Sequence, residues 1–434
     1  MSTTTNLEEA TSAPAEQEVA VPPDETGGTF ASLRLRDFRL LLTGTTLSNA
    51  GQWIQQVTLS WLVYDLTASG AMLGTINLVR SVATLGLAPV SGVAIDRFPR
   101  RTLMLAVNAW LFVISLGLGL LLLTGRVGIA HLLVFTFLGG IAQALDIPLR
   151  QTAVFTLVPR ALAPNAVALI QTGWALMRSL GPALGGFLIL WFGPGGNFLI
   201  QATAYALIAL TTVRIVWPAV KADSKGSASL RNLGDGLRYI AREPGTRAFV
   251  LMGWVLPLFI IPNFAALPPI YAKDVFGGGP EILGLLLSSV GVGGIVGGIV
   301  SASLGRFERR GLIQLVALAL TSAALIGFAF STTLWVALPL LACSGFCEML
   351  YLTTNQTLLQ LSIPEEMRGR VTGIVSLNAG LSPLGSFLAG LGADLVGPRT
   401  VTITLCTIAA LIAALALLTS PTIRDYRLSR ALQN

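Results

Sequence analysis

Residues 92–101 read Gly-Val-Ala-Ile-Asp-Arg-Phe-Pro-Arg-Arg, and residues 306–310 read Arg-Phe-Glu-Arg-Arg. This basic stretch therefore appears twice, about half a chain length apart, and each copy lies between two long apolar runs. A charged loop that recurs at half-chain spacing in a mostly apolar chain predicts a membrane protein built from two related halves.

The composition supports this prediction. The chain has 434 residues, of which 53% are hydrophobic and only 11% are charged, whereas soluble domains carry about 25% charged residues. About 20 apolar residues span a bilayer as a helix, and the runs are continuous rather than alternating as in a membrane barrel. The sequence predicts an all-α membrane protein with twelve transmembrane helices in two six-helix halves. The predicted spans are 41–64, 72–95, 102–124, 130–154, 165–192, 198–217, 248–271, 282–304, 312–332, 334–359, 371–393 and 400–419.

The distribution of the 28 Lys and Arg residues predicts the orientation. Twenty-one of them lie in predicted loops on the side of the N-terminus, three lie on the opposite side, and four lie inside spans. Cytoplasmic loops are enriched in Lys and Arg, so we expect a plasma-membrane protein with both termini in the cytoplasm. Because topology explains the net charge of +7, no nucleic-acid partner is expected.

The spans and the charges between them divide the chain into five regions. Residues 1–33 are expected to be a disordered cytoplasmic tail, because residues 1–30 contain six acidic residues and no Lys or Arg. A six-helix half over 34–217, a cytoplasmic linker over 218–247, a second half over 248–419 and a tail over 420–434 follow. Apolar residues at helical spacing in 230–240 predict a short amphipathic helix on the membrane surface within the linker.

The two halves also match at single positions of spans 4 and 10. Gly140, Gln151, Thr152 and Pro159 recur, at one constant offset, as Gly345, Gln356, Thr357 and Pro364. With this repeat and the complete motif at 92–101, the chain resembles the major facilitator superfamily over residues 34–420. The resemblance implies two six-helix halves that enclose a site near the middle of the bilayer.

A finer resemblance rests on four motifs that occur together. The chain is similar to the branch that contains exporters of the enterobactin type and macrolide-efflux-like pumps. The motifs are Gly-Gln-Trp-Ile-Gln-Gln-Val at 51–57, Ala-Leu-Asp-Ile-Pro-Leu-Arg-Gln at 144–151, Pro-Asn-Ala-Val-Ala-Leu at 164–169 and Arg-Gly-Arg-Val at 368–371.

The two basic loops are the predicted conformational latch. Gly92 would let its helix approach a neighbour closely, and the resemblance implies that the acid and arginines around it hold the halves in the outward-open state. The second copy has Gly305 where the first has its acid, so only the first latch has a carboxylate. The predicted latch residues are Gly92, Asp96, Arg97, Arg100, Arg101, Arg306, Arg309 and Arg310.

A second signature lies in predicted span 5. Gly181, Pro182, Gly185 and Gly186 resemble a motif frequent in proton-coupled exporters of the superfamily. The glycines allow close helix contact, while the proline weakens the local hydrogen-bond ladder and permits bending. We therefore expect these four residues to act as a hinge.

Charged residues inside spans are the candidates for proton coupling, since intramembrane charges are costly and usually functional. Asp146 and Arg150 lie four positions apart on one helix face, and Glu348 has no basic residue near it in sequence. We expect Asp146 and Glu348 to carry protons, with Arg150 coupled to the first. The alternatives are a structural ion pair for Asp146 and Arg150 and a solvated cavity wall for Glu348.

Polar stripes inside spans 1, 4 and 10 predict the substrate cavity, because polar faces are not tolerated against lipid. Arginines in spans 2 and 5 could attract an anionic substrate group or balance an acid. Hydrogen bonding between helices is the alternative for the uncharged stripe. The cavity candidates are Asn49, Gln52, Trp53, Gln56, Arg80, Gln143, Arg178, Tyr351 and Asn355.

Together these features predict a secondary active transporter. No phosphate-binding loop is present, and one histidine with three cysteines forms no metal-site pattern, so no enzyme activity, metal or cofactor is expected. We predict export of a small organic molecule, siderophore-like or drug-like, driven by protons in a monomer embedded in the bilayer. Solute uptake, and a receptor or sensor that does not transport, remain the alternatives.

Overall fold

The computed structural model describes residues 28, 30–218, 230–303, 308–375 and 378–424, and these residues form helices joined by short turns. The prediction of an all-helical membrane fold is confirmed. The main helices are α1 (Arg36–Thr67), α2 (Gly70–Arg97), α3 (Arg100–Leu123), α4 (Ile129–Leu157), α5 (Ala163–Arg214), α6 (Leu230–Arg242), α7 (Pro244–Val275), α8 (Pro280–Ser303), α9 (Arg310–Phe330), α10 (Leu334–Leu361), α11 (Glu365–Val375), α12 (Asn378–Val396) and α13 (Pro398–Thr419).

Ten segments of the described chain are long and apolar enough to cross a bilayer. They are α2–α5, α7–α10, Arg370–Val396 and α13. Helix α1 has 32 residues but is less apolar, and the segment Arg160–Arg214 counts as one although its backbone is interrupted at Gly193. The ten segments and α1 overlap all the predicted spans.

Local backbone chemistry explains where the helices turn. Ala68 adopts a left-handed conformation with φ of 47° after α1, and the Ser69 side chain then accepts a hydrogen bond from the Met72 N–H at 3.3 Å, capping α2. Gly193 has φ 68° and ψ 172°, angles that a residue with a side chain rarely adopts. The 52-residue α5 is therefore two helices joined at Gly193, between predicted spans 5 and 6.

Helix α7 is irregular because it is rich in proline. One π-helical turn, Leu256–Ile260, lies between its α-helical parts, and a second, Tyr271–Val275, ends it. Pro257, Pro262 and Pro268 lack the N–H that would close a regular i to i−4 bond, so the hydrogen-bond register shifts at these points.

The repeated glycines contact equivalent helices in the two halves of the sequence. A Cβ on Gly140 of α4 would lie 2.8 Å from the Arg80 carbonyl oxygen of α2, and a Cβ on Gly345 of α10 would overlap the Val290 carbonyl oxygen of α8. Only glycine allows this backbone approach. Between the two sets, α5 packs on α8 and α2 packs on α12.

Large apolar side chains cover the outer surface of the bundle. Trp335 is 84% exposed, Leu418 77% and Leu395 76%. Contiguous exposed apolar surface is unusual for a soluble protein and is expected of helices that face lipid.

Some predictions concern residues outside the described part. Residues 1–27 and 29 of the expected tail, residues 219–229 of the linker, residues 304–307 with Arg306, and residues 425–434 are among them. Of the expected tail, Ala31–Arg34 forms a 3-10 turn in which the Ser32 hydroxyl donates to Asn165 Oδ1 at 2.7 Å. Residues Leu230–Arg242 of the linker form the predicted helix, α6, whereas its place on the membrane surface stays a prediction.

The contact at Gly345 generates a stability prediction. Gly345→Ala should lower the free energy of unfolding by about 1–3 kcal/mol, because the new methyl group must push α10 away from α8. Gly117→Ala in α3 is the matched control, since a Cβ there meets nothing within 4 Å. Tryptophan fluorescence during thermal unfolding in detergent measures both. Equal melting temperatures would contradict the close approach of α8 and α10.

Candidate functional site

A buried ion pair lies inside α4. Arg150 Nε donates to both carboxylate oxygens of Asp146, each at 2.9 Å, and the two residues are only 6% and 1% exposed. Ser48 of α1 donates its hydroxyl to Asp146 Oδ2 at 3.3 Å, and Arg150 Nη2 donates to Asn108 Oδ1 of α3 at 3.4 Å. The pair predicted from the four-residue spacing is therefore formed, and two neighbouring helices hold it in place.

A second buried ion pair joins the two halves of the sequence. Arg178 Nη2 of α5 lies 2.9 Å from Glu348 Oε2 of α10, and the side chains are 16% and 3% exposed. The Trp174 ring lies beneath the guanidinium, with 5.7 Å from Arg178 Cζ to the ring centroid. The alternative of a solvated cavity wall for Glu348 is wrong for this conformation. Its partner was not visible in the sequence, since it lies 170 positions away.

The polar stripe of α1 faces a cavity of about 110 Å³ between α1, α2, α4 and α5. Arg80 borders it, and its Nη2 donates to Asn77 Oδ1 at 2.6 Å. Among the described residues, Arg80 has no carboxylate within ion-pair distance. The cavity candidates that border this space are Gln52, Trp53, Gln56, Arg80 and Gln143.

A larger space of about 510 Å³ adjoins this cavity and shares Gln52, Asp146 and Trp174 with it. Asn49 borders the larger space. Its wall continues to Phe155 near the end of α4 and Val167 near the start of α5, so it extends toward the basic loops. We call the end of the bundle with residues 97–101, 243–247 and 308–310 the basic end, and the end with residues 67–70, 275–280 and 396–398 the opposite end.

Tyr351 and Asn355 do not reach the cavity beside Arg80. The Tyr351 hydroxyl donates to the Met252 carbonyl oxygen at 2.5 Å, and Asn355 Oδ1 accepts from Gln314 Nε2 at 2.7 Å. Both residues border a separate space of about 540 Å³ between α7, α10 and α11. In this conformation the polar atoms of these two residues tie α10 to its neighbours, and their contact with the substrate stays a prediction.

The predicted hinge glycines are packing positions in this conformation. A Cβ on Gly181 would lie 2.6 Å from Trp53 Cβ, a Cβ on Gly185 would lie 3.1 Å from Ile54 Cα, and a Cβ on Gly186 would overlap the Pro280 carbonyl oxygen. The backbone stays helical through Pro182, and Gly193 is the interior residue with non-helical angles. The four residues thus bring α5 against α1 and α8, while hinge motion stays a prediction.

Polar contacts join the two halves at the opposite end. Lys273 Nζ lies 2.6 Å from Asp65 Oδ1, and the Tyr64 hydroxyl donates to Asp274 Oδ2. A Cβ on Gly74 of α2 would overlap Phe387 Cα of α12. This end is closed by direct contact between backbones and side chains.

The basic end is open in the part that the structure describes. A Cβ on Gly92 or Gly373 would meet nothing within 4 Å, and Phe98 is 56% exposed. Gly92 therefore makes no close helix contact in this conformation, contrary to the expectation from its position in the motif.

Two of the predicted latch arginines donate hydrogen bonds to carbonyl oxygens of their own half. Arg100 Nη1 donates to the Thr152 carbonyl oxygen at 3.4 Å, and Arg101 Nη2 donates to the Val213 carbonyl oxygen at 3.3 Å. Arg97 and Arg309 are exposed, whereas Arg310 is buried. Asp96 lies in the last turn of α2, and its side chain is outside the described part.

Several residues of the site were missed from the sequence. Trp174 lies four positions before Arg178 on the same face of α5, and this spacing was the available signal. Gln201 Nε2 donates to Gln55 Oε1 at 2.6 Å. Gln201 and Asn108 are polar residues in apolar helices, and this was the signal available in the sequence. Asp394 at the end of α12 accepts a hydrogen bond from the Gly70 N–H of α2, and its position in the sequence did not indicate this contact, because an acidic residue near the end of a span is common.

The chain matches a known protein family over nearly its whole length. The family model described as transmembrane secretion effector matches residues 27–429. The chain belongs to this family of the major facilitator superfamily.

Curated relatives place this transporter in the efflux-like branch. It is 25% identical to the staphyloferrin A transporter of Staphylococcus aureus, over 80% of this chain and 87% of the relative. It is 27% identical to the multidrug efflux pump Tap of Mycolicibacterium fortuitum (82% and 89%) and 21% identical to macrolide efflux protein A of Streptococcus pyogenes (83% and 90%).

Solved structures share the fold. A bacterial homologue of the iron transporter ferroportin aligns with a TM-score of 0.67 at 20% identity, covering 88% of this chain and 98% of that one. A bacterial homologue of the lysosomal transporter Spinster aligns with a TM-score of 0.68 at 16% identity, covering 90% and 98%. The relatives and the shared fold show that this chain is a multi-pass membrane transporter for a small molecule.

The ion pair between α5 and α10 generates a stability prediction. Glu348→Gln should lower the free energy of unfolding by roughly 3 kcal/mol, because it leaves the Arg178 charge without its partner in a low-dielectric site. The double change Arg178→Gln, Glu348→Gln removes both charges and should recover most of that loss.

Thermal unfolding of the single and double variants measures the coupling. Asp65→Asn is the control, since the Asp65–Lys273 pair is 51% and 38% exposed and exposed pairs contribute less than about 1 kcal/mol. Additive losses in the double variant would show that Arg178 and Glu348 do not stabilise each other.

Proposed function

We propose that this transporter exports a small organic molecule by proton-coupled alternating access, as a monomer in the plasma membrane. The observation that carries the proposal is the ion pair between Arg178 and Glu348, which joins the two halves and lies against Trp174, a residue that borders the polar cavity. The cavity space extends to the basic end, while the opposite end is closed. A substrate can therefore enter from the basic end only.

Twelve spans in two six-helix halves account for the helices described. Helix α1, whose polar stripe lowers its hydropathy, adds an eleventh span to the ten apolar segments. Division of Arg160–Arg214 at Gly193 gives the twelfth. The halves 34–217 and 248–419 are supported by the equivalent contacts of Gly140 and Gly345. The excess of Lys and Arg supports a cytoplasmic basic end with both termini there, so the conformation is inward-facing.

Glu348 is the favoured proton carrier. A proton on its carboxylate removes the charge that holds Arg178, and this contact crosses from one half to the other. Protonation therefore weakens a link between the halves. Asp146 forms its ion pair with Arg150 on its own helix, which supports the structural alternative for that pair, so Asp146 is the secondary candidate.

The cavity supports an amphipathic substrate. Trp53 and Trp174 offer flat apolar surface, Gln52, Gln56 and Gln143 offer donors and acceptors, and Arg80 is a cation for an anionic or carbonyl group. Siderophore-like and drug-like molecules have this mixture of surfaces. The names of the three curated relatives, a staphyloferrin A transporter, a multidrug efflux pump and a macrolide efflux protein, support this range.

Export is favoured over the two alternatives. Two of these relatives are named as efflux proteins, which supports export over uptake. The intramembrane charges support transport over a receptor or sensor, because such a protein has no need to maintain costly charges there. Arg80 borders the cavity, and Arg178 pairs with the buried Glu348.

Identification of the substrate comes first. Cells with and without the protein are compared for the small molecules that they retain, and the compounds depleted by the protein become the test substrates. Everted membrane vesicles should then accumulate such a compound when their pH gradient is present. Accumulation that persists after the gradient is collapsed would contradict proton coupling.

The role of Glu348 is tested with the charge-free double variant. Arg178→Gln, Glu348→Gln leaves no unpaired charge but has no carboxylate at position 348, so it should lose gradient-driven accumulation and retain counterflow exchange. Asp65→Asn should retain both activities, because it changes only an exposed pair. Normal gradient-driven transport by the double variant would remove Glu348 as the carrier.

A further inference from the structure

The N-terminus of α2 is capped by a side chain from the other half of the sequence. Asp394, in the last turn of α12, accepts three hydrogen bonds there: from the Gly70 N–H at 2.5 Å, from the Ala71 N–H at 2.9 Å and from the Ser69 hydroxyl at 2.7 Å. The first N–H groups of a helix have no partner within their own helix. Asp394 supplies that partner across the interface between the halves.

Neither helix has, within its own sequence, a charged residue that complements the helix dipole at this end. The first turn of α2 contains no acidic residue, and the last turn of α12 contains no basic residue. A carboxylate at a helix C-terminus is unfavourable, because that end of the helix dipole is negative, whereas a carboxylate at an N-terminus is favourable. Asp394 therefore gains its favourable environment only while α2 and α12 meet.

Glycines bring the two helix ends close enough for this cap. A Cβ on Gly70 would lie 2.5 Å from the Gly390 carbonyl oxygen, and a Cβ on Gly74 would overlap Phe387 Cα. The spacing of Gly70 and Gly74 is the small-residue pattern of close helix contacts in membranes. At the other end of α2, a Cβ on Gly86 or Gly92 would meet nothing within 4 Å. The tight contact is thus limited to the opposite end.

The two helices run antiparallel, so each C-terminus lies at the end of the bundle where the other helix begins. Asp96 lies in the last turn of α2 at the basic end, and Asp394 lies in the last turn of α12 at the opposite end. One helix pair therefore carries a carboxylate at each end, and each carboxylate is at the unfavourable end of its own helix.

We propose that Asp394 is a gating residue of the transport cycle, which holds the opposite end closed by capping α2 from the other half. Its release accompanies opening of that end, when the basic end closes and Asp96 can take the corresponding position there. The inference rests on the proposed alternating-access transport and adds a residue that selects between its two states.

Thiol accessibility tests this role in nanodiscs, in a variant whose three native cysteines are replaced. Ser386→Cys reports opening of the opposite end, since Ser386 is 1% exposed and its carbonyl oxygen faces Gly74. Gln171→Cys reports the basic end, since Gln171 is exposed and borders the larger space. A hydrophilic maleimide labels each cysteine at a rate that follows its accessibility.

Asp394→Asn should raise the labelling rate at position 386 by about tenfold, because hydrogen bonds to a charged acceptor are lost. It should lower the rate at position 171 to about half or less, because the population with an open basic end falls. Ser69→Ala removes one donor and should change both rates in the same directions by a smaller factor. Asp65→Asn, at an exposed pair of the same end, should change either rate less than twofold.

A labelling rate that rises at position 386 while it falls at position 171 distinguishes a gating role from a general loss of stability. If Asp394 only stabilised the fold, Asp394→Asn would raise both labelling rates and lower the melting temperature. That result, or an unchanged rate at position 386, would overturn the proposal. The measurement uses no substrate and no gradient, so a failure of proton coupling would leave the expected accessibility changes intact.

Discussion

The low dielectric of the bilayer interior makes an unpaired charge costly, and the arrangement of the helices around the two ion pairs depends on this constraint, while Arg80 donates to the Asn77 side chain instead. The described spans carry Arg80, Arg150 and Arg178 with Asp146 and Glu348 in their interior. One pair lies within α4 and fixes α1 and α3 around it, while the other joins α5 to α10. An isolated buried charge would cost several kcal/mol, so these pairs define which helices stay together and which contact the proposed transport cycle has to break.

Different interactions hold the two halves together at the ends of the bundle than in its middle. In the middle, the halves share the buried carboxylate of Glu348, whereas at the opposite end they meet through the capped N-terminus of α2 and the exposed Asp65–Lys273 pair. Helix dipoles act only within the first and last turns. In the proposed transport cycle, a rotation of one half would exchange one set of end contacts for another.

Hydropathy and charge placement were sufficient to predict the all-helical membrane fold, because burial in lipid requires continuous apolar runs. The spacing of Asp146 and Arg150 likewise predicted their pair, since i and i+4 are neighbours on a helix. The Arg178–Glu348 pair could not be predicted, because it depends on how α5 and α10 face each other across the halves. Tyr351 and Asn355 share a face with Glu348 in sequence, yet their hydrogen bonds to Met252 and Gln314 direct them away from the cavity beside Arg80. Sequence periodicity predicts which residues share a face of a helix, whereas tertiary packing determines which residues that face contacts.

Alternating access is the central claim, and distances across the two ends of one molecule test it most directly. Spin labels at Thr124 and Thr333 span the opposite end, and labels at Arg160 and Gln360 span the basic end, all at exposed positions. Pulsed dipolar spectroscopy in nanodiscs, at acidic and alkaline pH, gives both distance distributions. The account predicts opposite changes at the two ends: when the distance across one end lengthens in a fraction of the molecules, the distance across the other end shortens in an equal fraction. Distances that stay constant at both ends, or that lengthen together, would contradict it.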